Sequence, residues 1–232
     1  MYYGIRARTR NPAVSNPFDE LARDTLLVVG ALFPIVNPLG NTPIFLTLTR
    51  GLSGPGRARL ARAIAMNGLA LIVASIFIGT HILAFFGVSL PVVQVGGGLL
   101  VVSTGWSLLR RSDDAQPGGA KEPCREDDFM RQAFYPLTMP LTVGPGTIAV
   151  AITLGANRSG ASGWKLLPIA GLLIGAAAIA VSIYLSYRFA ESLAQALGES
   201  AMNVVIRLSS FILVCIGVQI LWNGLSTLLK SL

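Results

Sequence analysis

The sequence predicts an all-α polytopic membrane protein: six transmembrane helices, arranged as two inverted three-helix repeats, with helices 1 and 4 broken. Three observations predict it. The 232 residues are 53% hydrophobic and only 12% charged, with a mean hydropathy of +0.64, whereas soluble domains carry about 25% charged residues. The apolar residues gather into runs long enough to cross a hydrocarbon core about 30 Å thick. One proline-rich stretch inside such a run occurs twice, once in each half of the chain.

The first copy is Phe33-Pro34-Ile35-Val36-Asn37-Pro38-Leu39-Gly40-Asn41-Thr42-Pro43-Ile44. Each proline removes a backbone donor and clashes with the preceding turn, and the residue before it is pushed from helical angles. Residues 21–49 carry no charge between Asp24 and the end of the run. As continuous helix they would span roughly 43 Å at about 1.5 Å per residue, so a broken helix at depth is expected, with the break at Asn37 to Pro43. The second copy is Tyr135-Pro136-Leu137-Thr138-Met139-Pro140-Leu141-Thr142-Val143-Gly144-Pro145-Gly146-Thr147-Ile148, aligned at an offset of 102 residues. Backbone freed in hydrocarbon is tolerated only where protein or a water-filled cavity surrounds it. Paired Gly/Pro-interrupted apolar segments therefore point to a transporter's binding site.

In chain order, residues 1–20 form a polar tail with Arg6, Arg8 and Arg10, and Asn16-Pro17-Phe18-Asp19-Glu20 reads as a helix start. Residues 21–109 form the first repeat: span one, a basic loop at 50–62 with Gly51, Gly54, Pro55 and Gly56, span two at 63–86, and span three at 91–109. Gly96-Gly97-Gly98 in span three suits close helix packing. Residues 110–128 are a polar linker. Residues 129–232 form the second repeat: span four to about 154, a short loop at 156–165, span five at 166–190 and span six at 204–229. A three-span unit duplicated in one chain enters the membrane in opposite orientations, which makes the repeat inverted.

Net charge is +7 and the pI about 10.0. In this composition the arginines belong to membrane-flanking loops facing anionic lipid, and nucleic acid is not expected as a partner. With both termini outside, the inner segments hold 11 of the 18 Lys and Arg residues, the orientation the positive-inside rule prefers. Cys124 in the linker and Cys215 in a span do not make a disulfide framework. The start shows no cleavable signal peptide.

Neither an enzyme, a metal site nor a cofactor is expected: no HExxH, P-loop or GxSxG pattern occurs, and the single His81 has no acid or thiol near it. Asp24 reads as interfacial, Asn67, Gln219 and Asn223 as interhelical glue, and Trp106 and Trp222 as interfacial anchors. Freed amides at a half-helix N-terminus attract a carboxylate, and freed carbonyls attract a cation. The candidate substrate-binding residues are Asn37, Pro38, Gly40, Asn41, Thr42, Thr138, Gly144, Pro145, Gly146 and Thr147, with no fixed charge among them. Such a site suits a small zwitterion, and Asn41 and Thr147 are expected to hydrogen-bond it. H⁺ or Na⁺ is the candidate coupling ion, and a homo-oligomer is open.

These paired motifs, with Phe45 after the first and Ala149 after the second, resemble the MarC family of bacterial and archaeal inner-membrane proteins, and the likeness runs from Phe18 to Leu229. The resemblance implies six spans in two inverted halves, kinship with a wider lysine-exporter-like group, the cytoplasmic membrane as location, and transport of small neutral amino acids of the glycine/alanine class. The longer arginine-bearing N-terminal tail departs from the family pattern. The alternative is a non-transporting membrane protein, a partner or assembly factor whose breaks only serve packing.

Overall fold

The structure is a computed structural model, and it describes residues 17–49, 51–110, 126–162 and 166–230. The described residues are helical almost throughout: α1 (Pro17–Val36), α2 (Pro38–Leu48), α3 (Gly54–Phe85), α4 (Leu90–Leu109), α5 (Glu126–Arg131), an irregular π segment (Ala133–Thr142), α6 (Pro145–Ser162), α7 (Leu166–Arg188) and α8 (Ala190–Leu229). Five helical stretches are long and apolar enough to cross a membrane: Phe18–Leu48, Gly54–Phe85, Leu90–Leu109, Leu166–Arg188 and Ala201–Leu229. The π segment and α6, bent by 71° at their junction, make a sixth if taken as one broken span.

Several boundaries differ from the sequence reading, each for a local reason. The basic loop expected at 50–62 is mostly helix. The Ser53 side chain accepts from Gly56 N–H, and Pro55 sits in the first turn, so Ser53-Gly54-Pro55 is a helix start rather than a turn. α3 is 32 residues long, about 48 Å at 1.5 Å per residue, so it outruns the hydrocarbon, and its basic first turns carry Arg57, Arg59 and Arg62. α6 runs on to Ser162, into the loop expected at 156–165, and α5 begins inside the expected linker. The segment between spans five and six is helical too. It is separated from the long part of α8 at Gly198, whose φ of 70° only glycine adopts freely. Cys124, the three tail arginines and the interior of the linker lie outside the described residues.

The core is built where α1, α2, α3 and α7 meet. Val28, Leu32, Val36, Phe45, Leu60, Ile64, Ile72, Ile76, Ile179, Ile183 and Tyr187 are its largest fully enclosed side chains. α1 lies along α7 in the same direction, with Gly171 against Leu21, Asp24 and Thr25 and Gly175 against Thr25 and Val28. α3 packs on both α6 and α7. α4 lies antiparallel along α8: Gly98 faces Gly217 and Leu221, Gly105 faces Ser210 and Val214, and Gly224 faces Pro91 and Val95. That pair reaches the remaining helices chiefly through α2 on one side and α6 on the other. Small residues thus let backbones approach in hydrocarbon, where helices gain little from the hydrophobic effect.

Asp24 is buried beside α7, with its Cβ against Gly171. Gln219 donates to Asn223 one turn along the same helix at 2.9 Å, so this pair is not interhelical glue.

Candidate functional site

The first break is one residue wide. Asn37 adopts left-handed angles, φ 44° and ψ 56°, and its side-chain oxygen accepts from Gly40 N–H at 3.2 Å. Asparagine tolerates that region because its short amide bonds locally. It therefore ends α1 and caps α2 at once. A Cβ on Gly40 would collide with the Asn37 amide. Pro43, expected to extend the break, lies within α2. The hydroxyls of Thr42, Thr47 and Thr49 donate to the carbonyls of Pro38, Pro43 and Phe45, one turn back, at 2.7–2.9 Å.

The second break is wider. Tyr135 and Met139, each preceding a proline, are extended, at φ −125° and −115°, as residues before proline tend to be. A methionine can neither occupy the left-handed region as easily as asparagine nor cap the next turn. The chain becomes regular helix again only at Pro145, where the first intrahelical bond of α6 runs from Ile148 N–H to Gly144 O at 3.2 Å. The aligned motifs Asn37-Pro38 and Met139-Pro140 thus fold differently.

The two breaks meet. Asn41 donates through Nδ2 to Val36 O at 3.0 Å, a carbonyl freed at the end of α1, and to Leu141 O at 3.2 Å in the other break. Thr142 donates to Leu137 O at 2.7 Å. With that proton committed, Tyr187 O–H is the donor in its 2.9 Å contact with Thr142 Oγ1. The Tyr187 ring stacks on Phe45 of α2, centroids 4.3 Å apart and planes within 5°. One fully buried tyrosine from α7 thereby holds both broken segments.

A cavity of about 120 Å³ lies at this meeting point. Asn37, Asn41, Ile35, Pro140, Leu141, Thr142 and Gly144 to Thr147 line it from the breaks, with Leu100, Val101, Thr104 and Leu108 of α4 and Leu213 of α8. No lining side chain is charged. Of the ten residues expected to bind substrate, Asn37, Asn41, Gly144, Pro145, Gly146 and Thr147 line the cavity, and Pro38, Gly40, Thr42 and Thr138 do not. The Thr42 and Thr138 hydroxyls instead hold Pro38 O and Ala133 O, at 2.9 and 2.6 Å. Tyr187 and the α4 wall escaped the sequence reading. A tyrosine in the last turn of an apolar span was the available signal for Tyr187, since a buried phenol usually finds a partner. Nothing local marks Leu100, Val101, Thr104 or Leu108.

The lining is rich in donors. The N–H groups of Gly146 and Thr147 precede the first intrahelical bond of α6 and have no acceptor within the helix. Asn37 is only 6% exposed, and its Nδ2 has no acceptor among protein atoms. Arg57 of α3 pairs with Glu191 at the start of α8 at 2.8 Å.

The family model described as MarC family integral membrane protein matches residues 24–229. The chain is 30% identical to the membrane protein YvbG of Bacillus subtilis (strain 168) over 196 residues, which are 84% of this chain and 90% of that relative. It is 29% identical to the inner membrane protein MarC of Escherichia coli O157:H7 over 207 residues, 86% of this chain and 93% of the relative. The inner membrane protein MarC of Citrobacter koseri matches to the same degree. No solved structure matches the chain significantly.

Proposed function

Because the chain belongs to the MarC family of integral membrane proteins, we propose that it is a secondary carrier working by alternating access around its two broken helices, with small neutral amino acids of the glycine/alanine class as solute. One observation carries the reading: both breaks open onto a single small cavity without charge. Pockets for drug-sized ligands run to roughly 300–1,000 Å³. About 120 Å³ suits a solute of a few heavy atoms. An uncharged lining suits a molecule whose own charges cancel.

The helix pairings support an inverted repeat. Exchanging α1 with the π segment, α2 with α6, α3 with α7 and α4 with α8 turns the α1–α7 contact into one between α3 and the π segment and the α2–α8 contact into α4–α6, and it returns α3–α7 and α4–α8 to themselves. Relatives that are inner membrane proteins support the cytoplasmic membrane as location, and the Lys/Arg balance supports both termini outside. H⁺ or Na⁺ is the proposed coupling ion.

Purified protein in proteoliposomes should take up labelled glycine and alanine and exchange them in counterflow. Gly144 lies on the cavity, where an added Cβ would approach only Pro140 O, at 3.3 Å. Gly144→Val should therefore cut uptake at least tenfold while helix content stays the same. Absence of uptake and counterflow by well-folded wild-type protein would overturn the carrier and leave the partner or assembly role.

A further inference from the structure

We propose that the cavity contains a dedicated carboxylate subsite, formed by Asn37 Nδ2 together with the backbone N–H groups of Gly146 and Thr147. The proposal deepens the carrier reading and rests on it for the solute that brings the carboxylate.

Two independent features point to the same ligand group. α6 begins at the cavity, and its first amides carry the positive end of an 18-residue helix. Helix ends of this kind accept carboxylates and other anions. The second feature is a side chain. Asn37 lines the cavity, turns its oxygen to Gly40 N–H and leaves an amide donor that no protein atom accepts. Buried donors are paired in the great majority of proteins, and an unpaired one costs about 1–3 kcal/mol. Two carbonyls freed by the breaks, Val36 O and Leu141 O, already take Asn41. What the subsite lacks is an acceptor, and a carboxylate oxygen is a strong one.

Asn37 also defines clean variants. Asp tolerates the left-handed region and can accept from Gly40 N–H, so Asn37→Asp keeps backbone and cap while replacing the donor by an acceptor. Asn37→Gly keeps the backbone without adding charge.

Binding of alanine, propionate and ethylamine to the detergent-solubilised full chain tests the proposal, because the last two are alanine without its amine and without its carboxylate. Wild type should bind alanine and propionate but not ethylamine. Asn37→Gly should weaken both acids at least tenfold, the scale of a charged hydrogen bond. Asn37→Asp should abolish their binding with its thermal midpoint unchanged. If alanine binds and is transported but ethylamine competes better than propionate, or if Asn37→Asp keeps wild-type affinity, the subsite is overturned and the carrier stands. Propionate bound in the Asn37-dependent way with alanine neither bound nor transported would support the subsite and overturn the proposed solute class. Failure of both acids to bind would overturn the two together.

Discussion

Asn41 and Tyr187 show how single side chains close two helix breaks over one space. Asn41 gives both of its amide protons to carbonyls that no helix satisfies, one from each break. Tyr187 adds a hydroxyl to Thr142 and a ring to Phe45. In hydrocarbon no water would replace these partners. Tyr187→Phe keeps the stacked ring and removes only the hydroxyl, so it should cost about 0.5–1.5 kcal/mol, read as a lower midpoint in detergent unfolding, while Phe45→Ala should cost more by also emptying the stack. At this scale the sequence was half legible. The motif pointed to Asn37 and Asn41 because asparagine between prolines in an apolar run has few other uses. The sequence does not show that Asn41 also joins the two breaks, since a hydrogen bond to a carbonyl 100 residues away leaves no local trace. Thr42 and Thr138 were read as ligands because a hydroxyl looks the same whether it faces a solute or its own preceding turn.

Among the elements, the glycines of α4 separate into contact and free positions. A Cβ on Gly98 would lie 2.6 Å from Leu221 N and 2.8 Å from Gly217 O, both backbone atoms of α8, whereas one on Gly96 would meet nothing within 4 Å. Backbone cannot rotate away as a side chain can. Gly98→Ala should therefore push α4 from α8 and cost about 1–3 kcal/mol, as overpacking does. Gly96→Ala should be neutral or stabilise by about 0.5–1 kcal/mol through helix propensity. Equal midpoints for the two variants would show that the α4–α8 contact is loose. The spans themselves were readable from hydropathy, and α4 and α7 fall within two residues of the expected bounds. The ends of α3, α6 and α8 were not. There, Gly, Pro and Ser suggest loops by composition, while Ser53 and Pro55 act as a cap and first turn. The aligned motifs also hid a difference in break width, because asparagine turns the chain in one left-handed residue where the aligned methionine stays extended.

The whole molecule divides into two bodies. α4 and α8 form a close antiparallel pair, and α1, α3 and α7 form the enclosed core, with the broken segments between them. The cavity has walls from the pair and from the breaks: Leu100, Val101, Thr104, Leu108 and Leu213 from the pair, and Asn37, Asn41 and the start of α6 from the breaks. Under the proposed carrier function, alternating access would be a rocking of the α4–α8 pair against the core, with the solute held at the broken helices. Gly146 and Val101 offer a way to stop it. An added Cβ on Gly146 would lie 3.6 Å from Val101 Cβ, and the nearest obstacle, Val101 Cγ2, disappears on substitution. That separation falls within the roughly 3.5–4.5 Å of a disulfide. In a background with Cys124 and Cys215 replaced, the pair Gly146→Cys and Val101→Cys should cross-link on oxidation and tie α6 to α4. The second pair, Gly79→Cys and Ile152→Cys, has its Cβ atoms 3.2 Å apart between α3 and α6, on the core side. It needs only a few tenths of an ångström of adjustment. Oxidation should bring counterflow to background in the first pair, with recovery on reduction, and should leave it unaltered in the second. If the first pair keeps transporting when fully oxidised, α4 and α6 move as one, and the rocking boundary lies elsewhere in the molecule.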